Sequence, residues 1–468
     1  MTRSFIMIMG IVLWFILGCV VSFLAKKKTG PGIAEYFIAN RTIGGFIAAM
    51  TYSATTYSAF MMVGLVGMTY SVGISAMGFE LSYLMGTILL LVLFAPYFWE
   101  MGKQYECITP VELLSKVYQS PLLGGITTVY CLLMLIPYMS VQFTGIGYLL
   151  ETLTGIPYQM GVLLTFIIII VFTLWAGMRS VAWTDALQAM IMLISSVFLL
   201  YYVIHYFFGG FSQFFHIFQN EHPDLLLANK MPYQKFLGLT IPWLFFAMTN
   251  PQVSQRMFIA RDKKSLKIMI IGFAVFGLLY TLIVTHLGLA ARHIFPNITN
   301  TDRITPLILD QAPIALAMFS FLGIVAASVS TVNSIILTLS SMCTIDIYEK
   351  IFTVDEKKRL LFGKMMVPII ALLAFLFSLG QFGVIVELSV MSSAGLLALV
   401  PSYFGIFWGK RDRIASISSI IVGGLSTVIM YFTGYFPLGI WPGAWCLFLS
   451  TVIFFTISEI RFSKNEKG

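Results

Sequence analysis

Charge is what this chain has least of. Only 10% of its 468 residues are Asp, Glu, Lys or Arg, while 59% are hydrophobic, and mean hydropathy is +0.91. A soluble domain carries about 25% charged residues. This chain therefore cannot keep its own surface wet, and its outer face must meet lipid. Cysteine is scarce as well. Cys19, Cys107, Cys131, Cys343 and Cys446 are scattered without CxxC spacing, which leaves them as small apolar packing residues. The histidines show no ligand-like spacing. There is no Walker A motif, nucleophile elbow or HExxH, so an ATP-driven pump or a hydrolase lacks its chemistry and the chain does not read as an enzyme. The net charge of +8 does not point to nucleic acid, because the basic residues form short clusters between apolar runs, as loops of membrane proteins do.

What is present in abundance is long apolar runs. A spanning helix needs about 20 apolar residues, and thirteen such runs are read: 4–25, 43–70, 76–99, 121–150, 157–177, 183–208, 236–256, 267–291, 311–345, 361–380, 384–408, 413–434 and 440–460. The runs 43–70 and 311–345 are long and rich in small polar residues, which predicts tilted or broken helices. The first run is followed by Lys26, Lys27 and Lys28, the reverse of a signal peptide's charge order, so it reads as a retained helix. With the N-terminus outside and the C-terminus cytoplasmic, 23 of the 28 basic residues fall inside, including Lys28, Arg256, Lys263, Lys264, Lys267, Lys410 and Lys467; Arg3, Lys230, Lys235, Arg292 and Arg303 fall outside. That asymmetry predicts a plasma (cell inner) membrane protein in this orientation.

Polar residues at membrane depth are costly and mark function. Thr51 to Ala59 passes nine residues without Leu, Ile, Val or Phe. Such a stretch can unwind and free its carbonyls for a cation, or serve as a face of small residues for helix packing. Ala327, Ser330, Thr331, Ser334, Thr338 and Ser341 recur at three- and four-residue steps and line one helix face. Neutral hydroxyls and carbonyls suit a hard cation; packing is again the alternative. Glu80 is a lone carboxylate in span three. Asp185, beside Thr184, suits either a site or a helix cap. Glu387 reads as interfacial. Pro242 interrupts span seven, and Pro251 follows at its inner end. Interrupted helices five spans apart are the pattern of inverted-repeat transporters.

At these residues the sequence resembles the sodium:solute symporter family. The matching segments are 176–188, the run from Ala327 to Ser334 ending near Asp346, Ile347 and Tyr348, and Asn250-Pro251-Gln252 leading to Gln255-Arg256. The resemblance implies an all-α polytopic membrane protein of the LeuT type with about 13 transmembrane helices. One transporter domain would fill 1–468, with an extra N-terminal helix (1–25), two inverted five-helix repeats (43–208 and 236–408) and two C-terminal helices (413–460). It implies a Na⁺ site made by the carbonyls of Ala54, Tyr57 and Ala327 and the hydroxyls of Ser330 and Thr331. It further suggests a second Na⁺ at Asp185, with Ser330 and Ser334 as further ligands, where Asn333 replaces a serine of the family. Glu80 matches a glutamate that contacts substrate in sugar-transporting members, and Thr56 stands where proline carriers have an aspartate. Gln142 and Trp243 complete the expected solute site.

The expected function is Na⁺-coupled symport of a small organic solute into the cell by alternating access, in the lipid bilayer and without an obligatory protein partner. The run from Val141 to Tyr158 looks most like the pantothenate-transporting branch, which puts pantothenate or another carboxylate ahead of a sugar or amino acid. Two other readings are a proton-coupled or exchange permease that uses Asp185 as proton carrier, and a non-transporting membrane sensor. The latter usually adds a cytoplasmic signalling domain, and none follows Lys464.

Overall fold

In the computed structural model, residues 3–27, 30–383, 385–409 and 411–465 are described; Lys28, Lys410 and Lys467 of the charge count lie outside them. Helix makes up 87% of the chain, and no strand forms among the described residues. Among the described residues, ten helices are long and apolar enough to cross a bilayer. The remaining expected spans are the ones the structure breaks or shortens: 45–72, Tyr158–Leu174 and 233–258. All five cysteines are free, in keeping with their packing role.

The fold turns its apolar side outward. Met85 is 71% and Phe432 89% exposed, whereas Glu80, Asp185 and Arg256 are at most 1% exposed. Lipid-facing aliphatics replace the charged shell of a soluble protein, and the interior holds the polar groups.

The breaks follow from local chemistry. In the second span the helix Gly45–Thr56 ends at Tyr57, whose backbone is extended (φ −91°, ψ 102°), and regular helix resumes only after a wide π-turn at Phe60–Leu65. Gly73 then turns with φ +60°, and a Cβ there would stand 2.1 Å from the Leu225 carbonyl oxygen; only glycine fits. The seventh span runs Tyr233–Leu244 straight through Pro242 and breaks instead at Asn250 (ψ 106°), with Pro251 opening the helix Pro251–Phe258. Proline at the first helical position loses no hydrogen bond, which places this interruption about two turns later than Pro242 suggests. The run 311–345 is not broken: Ile314–Met342 is one helix. The loop expected after residue 177 shrinks to Gly177 alone (φ +59°) within Tyr158–Phe208.

The two interrupted helices are tied together at one rim. Ile43 N–H donates to the Ile259 carbonyl (3.1 Å) and Arg261 N–H to the Ile43 carbonyl (3.0 Å). The Arg41 guanidinium donates to the carbonyls of Gly102 (2.7 Å), Cys107 (2.6 Å) and Phe258 (3.3 Å). At the opposite rim the segment after the helix Lys263–Ile294 folds inward. Tyr70 Oη donates to the Phe295 carbonyl (2.7 Å) and accepts from Ile298 N–H (3.0 Å), and Asp302 accepts from Ile385 N–H (3.1 Å).

Candidate ion and solute site

The break at Tyr57 faces the hydroxyl stripe of the helix Ile314–Met342. Ser330 Oγ donates to the Ala54 carbonyl (2.9 Å) and the Ala327 carbonyl (3.0 Å); Thr331 Oγ1 reaches the carbonyls of Ala54 (3.2 Å) and Thr55 (3.4 Å). Ala54, Ala327, Ser330 and Thr331 thus form one group of neutral oxygens, all fully buried. Tyr57 closes it in sequence, where the chain leaves the helix, and its ring stacks on Phe273 (5.5 Å). The hydroxyls that bridge to carbonyls here can equally turn their lone pairs to a small cation. Hard, oxygen-only coordination without a carboxylate suits a monovalent ion that must also leave.

One turn along the same stripe is a charged group. Arg256 lies 3.7 Å from Asp185, and both side chains are fully enclosed. Thr51 donates to Asp185 Oδ2 (2.6 Å), Arg256 Nη2 donates to Ser334 Oγ (2.5 Å), and Ser334 also meets Thr55 Oγ1 (2.9 Å). Asp185 stands eight residues past the Gly177 break, inside the helix, so it is not a cap. Asn333 is turned elsewhere: its Oδ1 accepts from Thr173 (2.7 Å). Arg256, counted among the cytoplasmic residues from the sequence, is instead an interior cation.

On the other side of the break the expected solute residues separate. Glu80 is 1% exposed, and among the described residues neither of its carboxylate oxygens has a hydrogen-bond partner. Tyr57, Tyr83 and Tyr138 lie within its electrostatic reach. The hydroxyls of Tyr52, Tyr57, Tyr83 and Tyr280 and Trp243 Nε1 are likewise buried without partners. Buried polar atoms are nearly always satisfied, so this group of unpartnered atoms is a candidate place for a polar guest. Trp243 packs on Phe60 (5.3 Å) and Tyr83 (5.5 Å). Gln142 is committed to the backbone: its Oε1 accepts from Ala59 N–H (3.0 Å) and its Nε2 donates to the Tyr138 carbonyl (3.3 Å). Thr56 bonds back to the Tyr52 carbonyl (2.8 Å).

The comparisons with known proteins decide the family. The sequence profile described as "Sodium:solute symporter family" matches residues 36–423. The chain belongs to the sodium:solute symporter family. Among curated relatives, the sodium/pantothenate symporter of Escherichia coli (strain K12) is 29% identical, with 90% of each chain covered. An osmoregulated proline transporter of Bacillus subtilis is 26% identical over 91% of this chain and 89% of its own. A Na⁺-coupled sialic acid symporter in a substrate-bound outward-open state superposes with a TM-score of 0.81 at 17% identity, covering 98% of both chains. A closed nucleobase-cation-symport-1 family transporter superposes at 0.59 with 14% identity, covering 92% of this chain and 94% of its own. The fold is accordingly LeuT-like, and Na⁺ is the symporter's coupling ion.

Several residues of this symporter's interior escaped the sequence reading as site residues. Tyr83 and Tyr280 lie in apolar spans with nothing in the sequence around them to mark a site. In the sequence Gln255 carries only the family resemblance, yet it accepts from Thr338 (2.6 Å) and donates to Ser341 (3.1 Å) and the Ile108 carbonyl (3.0 Å). The available signal was spacing: Gln252, Gln255 and Arg256 share a face of a short helix that begins at a proline.

Proposed function

We propose that the chain carries a small organic solute into the cell with one Na⁺, by alternating access around the break at Tyr57. The observation that carries this reading is the convergence of Ser330 and Thr331 on the Ala54 carbonyl. Na⁺ held by the carbonyls of Ala54, Tyr57 and Ala327 and the hydroxyls of Ser330 and Thr331 links the helix Gly45–Thr56 to the helix Ile314–Met342. The break also bears Tyr57 toward the solute side, so ordering it for the ion prepares it for the solute. Each ligand then raises the other's affinity by the same factor.

The Asp185 group supports a single ion. Arg256 supplies the positive charge that a second Na⁺ would bring, and Asn333 is occupied by Thr173. The same pairing weighs against Asp185 as a proton carrier.

For the solute, the sodium/pantothenate relatives support pantothenate or a similar hydroxylated amide acid. Glu80 would accept from solute hydroxyl or amide N–H groups, while the tyrosine hydroxyls and Trp243 Nε1 would donate to its carbonyl and carboxylate oxygens. Gln142 and Thr56 shape the pocket through the backbone. The clustering of Arg41, Lys103, Lys116 and Arg261 at one rim supports that rim as cytoplasmic, with the N-terminus outside.

Uptake of radiolabelled pantothenate into proteoliposomes, with and without an inward Na⁺ gradient, tests the reading. Na⁺-dependent accumulation is expected; uptake indifferent to Na⁺ overturns it. Labelling of Lys264→Cys from outside intact cells by an impermeant thiol reagent would overturn the orientation.

A further inference from the structure

Spacing in the sequence gives the histidines no ligand pattern, but the fold brings two of them together. At the rim opposite Lys263, the end of the helix Phe211–Glu221 meets the end of the helix Lys263–Ile294. His222 Nε2 lies 3.3 Å from His293 Nδ1, and His293 Nδ1 lies 3.5 Å from Glu221 Oε2. One ligand atom from each of the three residues falls within 4.8 Å of the others.

We propose that Glu221, His222 and His293 form a binding site for a transition-metal dication, Zn²⁺ being the best fit, on the outer face of the symporter. Zn²⁺ bonds imidazole nitrogen and carboxylate oxygen at about 2.0–2.2 Å in a tetrahedron, which sets neighbouring ligand atoms about 3.3 Å apart. The two measured edges match that spacing. Glu221, with its side chain 57% exposed, swings freely to close the third. Two imidazoles and a carboxylate leave a fourth position for water, as in open zinc sites. Imidazoles select Zn²⁺, Cu²⁺ or Ni²⁺ over the hard Mg²⁺ and Ca²⁺. The rings are already oriented, since Phe218 packs on His222 (5.3 Å) and Phe208 on His293 (5.4 Å). The neighbouring cation Arg292 is drawn off over the Tyr70 ring at 4.9 Å.

The site joins two elements that alternating access would move. His293 is two residues from Phe295, whose carbonyl holds Tyr70 at the end of the broken second span. A metal bridging Glu221 and His222 to His293 would staple the outer arm to this latch, so external Zn²⁺ should slow transport.

Isothermal titration of Zn²⁺ into the purified full-length protein in nanodiscs tests the site without reference to transport. One saturable Zn²⁺ per chain is expected, with no competition from Mg²⁺. Affinity should fall at least tenfold in His222→Ala and in His293→Ala, and less in Glu221→Gln, while the nearby exposed His216→Ala binds as the parent does. Thermal unfolding without metal, matched between parent and His222→Gln, checks that the variants fold. The site is overturned by absence of saturable binding in the parent, by unchanged binding in the His222→Gln/His293→Gln double variant, or by loss of binding in His216→Ala. Because the readout is heat of metal binding, it stands or falls separately from the solute and from Na⁺ coupling.

Discussion

Arg256 and Asp185 face each other at 3.7 Å in the middle of a protein whose surface is made for lipid, and neither exposes any side-chain area. Thr51 donates to Asp185 Oδ2 and Arg256 Nη2 donates to Ser334, while among the described residues Asp185 Oδ1 and Arg256 Nε have no partner. Taking two charges into a low-dielectric interior is expensive, and only mutual pairing with further hydrogen bonds offsets it.

Removing one partner should therefore hurt more than removing both. Arg256→Gln is expected to destabilise the fold by about 3–5 kcal/mol, the usual loss when one member of a buried pair is left alone. Asp185→Asn/Arg256→Gln should recover much of that. Thermal unfolding of the three variants in detergent checks it; equal losses in the single and double variants would defeat the pairing.

At the ion site, Thr331→Ala should raise the Na⁺ concentration for half-maximal uptake about tenfold, or roughly 1.4 kcal/mol, with high Na⁺ restoring most of the rate. Ser330→Ala should act in the same direction. A purely packing role would instead lower protein abundance and leave the Na⁺ curve of the folded molecules unchanged, so uptake is measured per folded transporter across a Na⁺ series.

Glu80→Gln keeps the shape and removes the charge. Solute affinity should weaken by roughly 1.5–3 kcal/mol, the worth of hydrogen bonds to a charged acceptor, with Na⁺ affinity changed far less. A solute KM equal to the parent's would take Glu80 out of the site.

Asp302 makes a pH signature at the rim opposite Arg41. Burial raises its carboxyl to about 6, aided by the nearby Glu387, against the lowering effect of the Ile385 N–H. When the segment unfolds or opens, the group returns to the ordinary range near 4. The released form therefore holds fewer protons between those values, and the closed segment loses stability as pH rises from about 4 to about 6. Thermal stability should increase as pH falls from 7 to 5, and Asp302→Asn should flatten that slope. A slope unchanged in the variant would assign it to other groups.

How far these features are legible in the sequence depends on whether they are local. The break at Tyr57 falls within Thr51 to Ala59, where small and hydroxyl residues let the backbone leave the helix. The hydroxyl face of Ser330 and Thr331 is written in helical spacing. Arg256 is not legible, since five residues before Arg261 and seven before Lys263 it reads as part of one basic loop. Only the fold shows that Pro251–Phe258 carries it inward. The partners of Gln142 are not legible for the same reason: its Oε1 meets Ala59 N–H on a span 83 residues away in sequence. His222 and His293, seventy-one residues apart, meet only through the fold.

The rim where Ile43 pairs with Ile259 and Arg261, and where Arg41 gathers three carbonyls, has a kinetic meaning. The Arg41 contacts are polar and the guanidinium is only half-buried, so parting them exchanges carbonyl partners for solvent, whereas Ile43 and Ile259 are buried and parting them would bare apolar surface. Each Arg41 bond is worth about 0.5–1.5 kcal/mol net, and 1.36 kcal/mol is tenfold in rate. Turnover number is therefore expected to change several-fold per bond lost at Arg41, with the affinities for ion and solute left as they are.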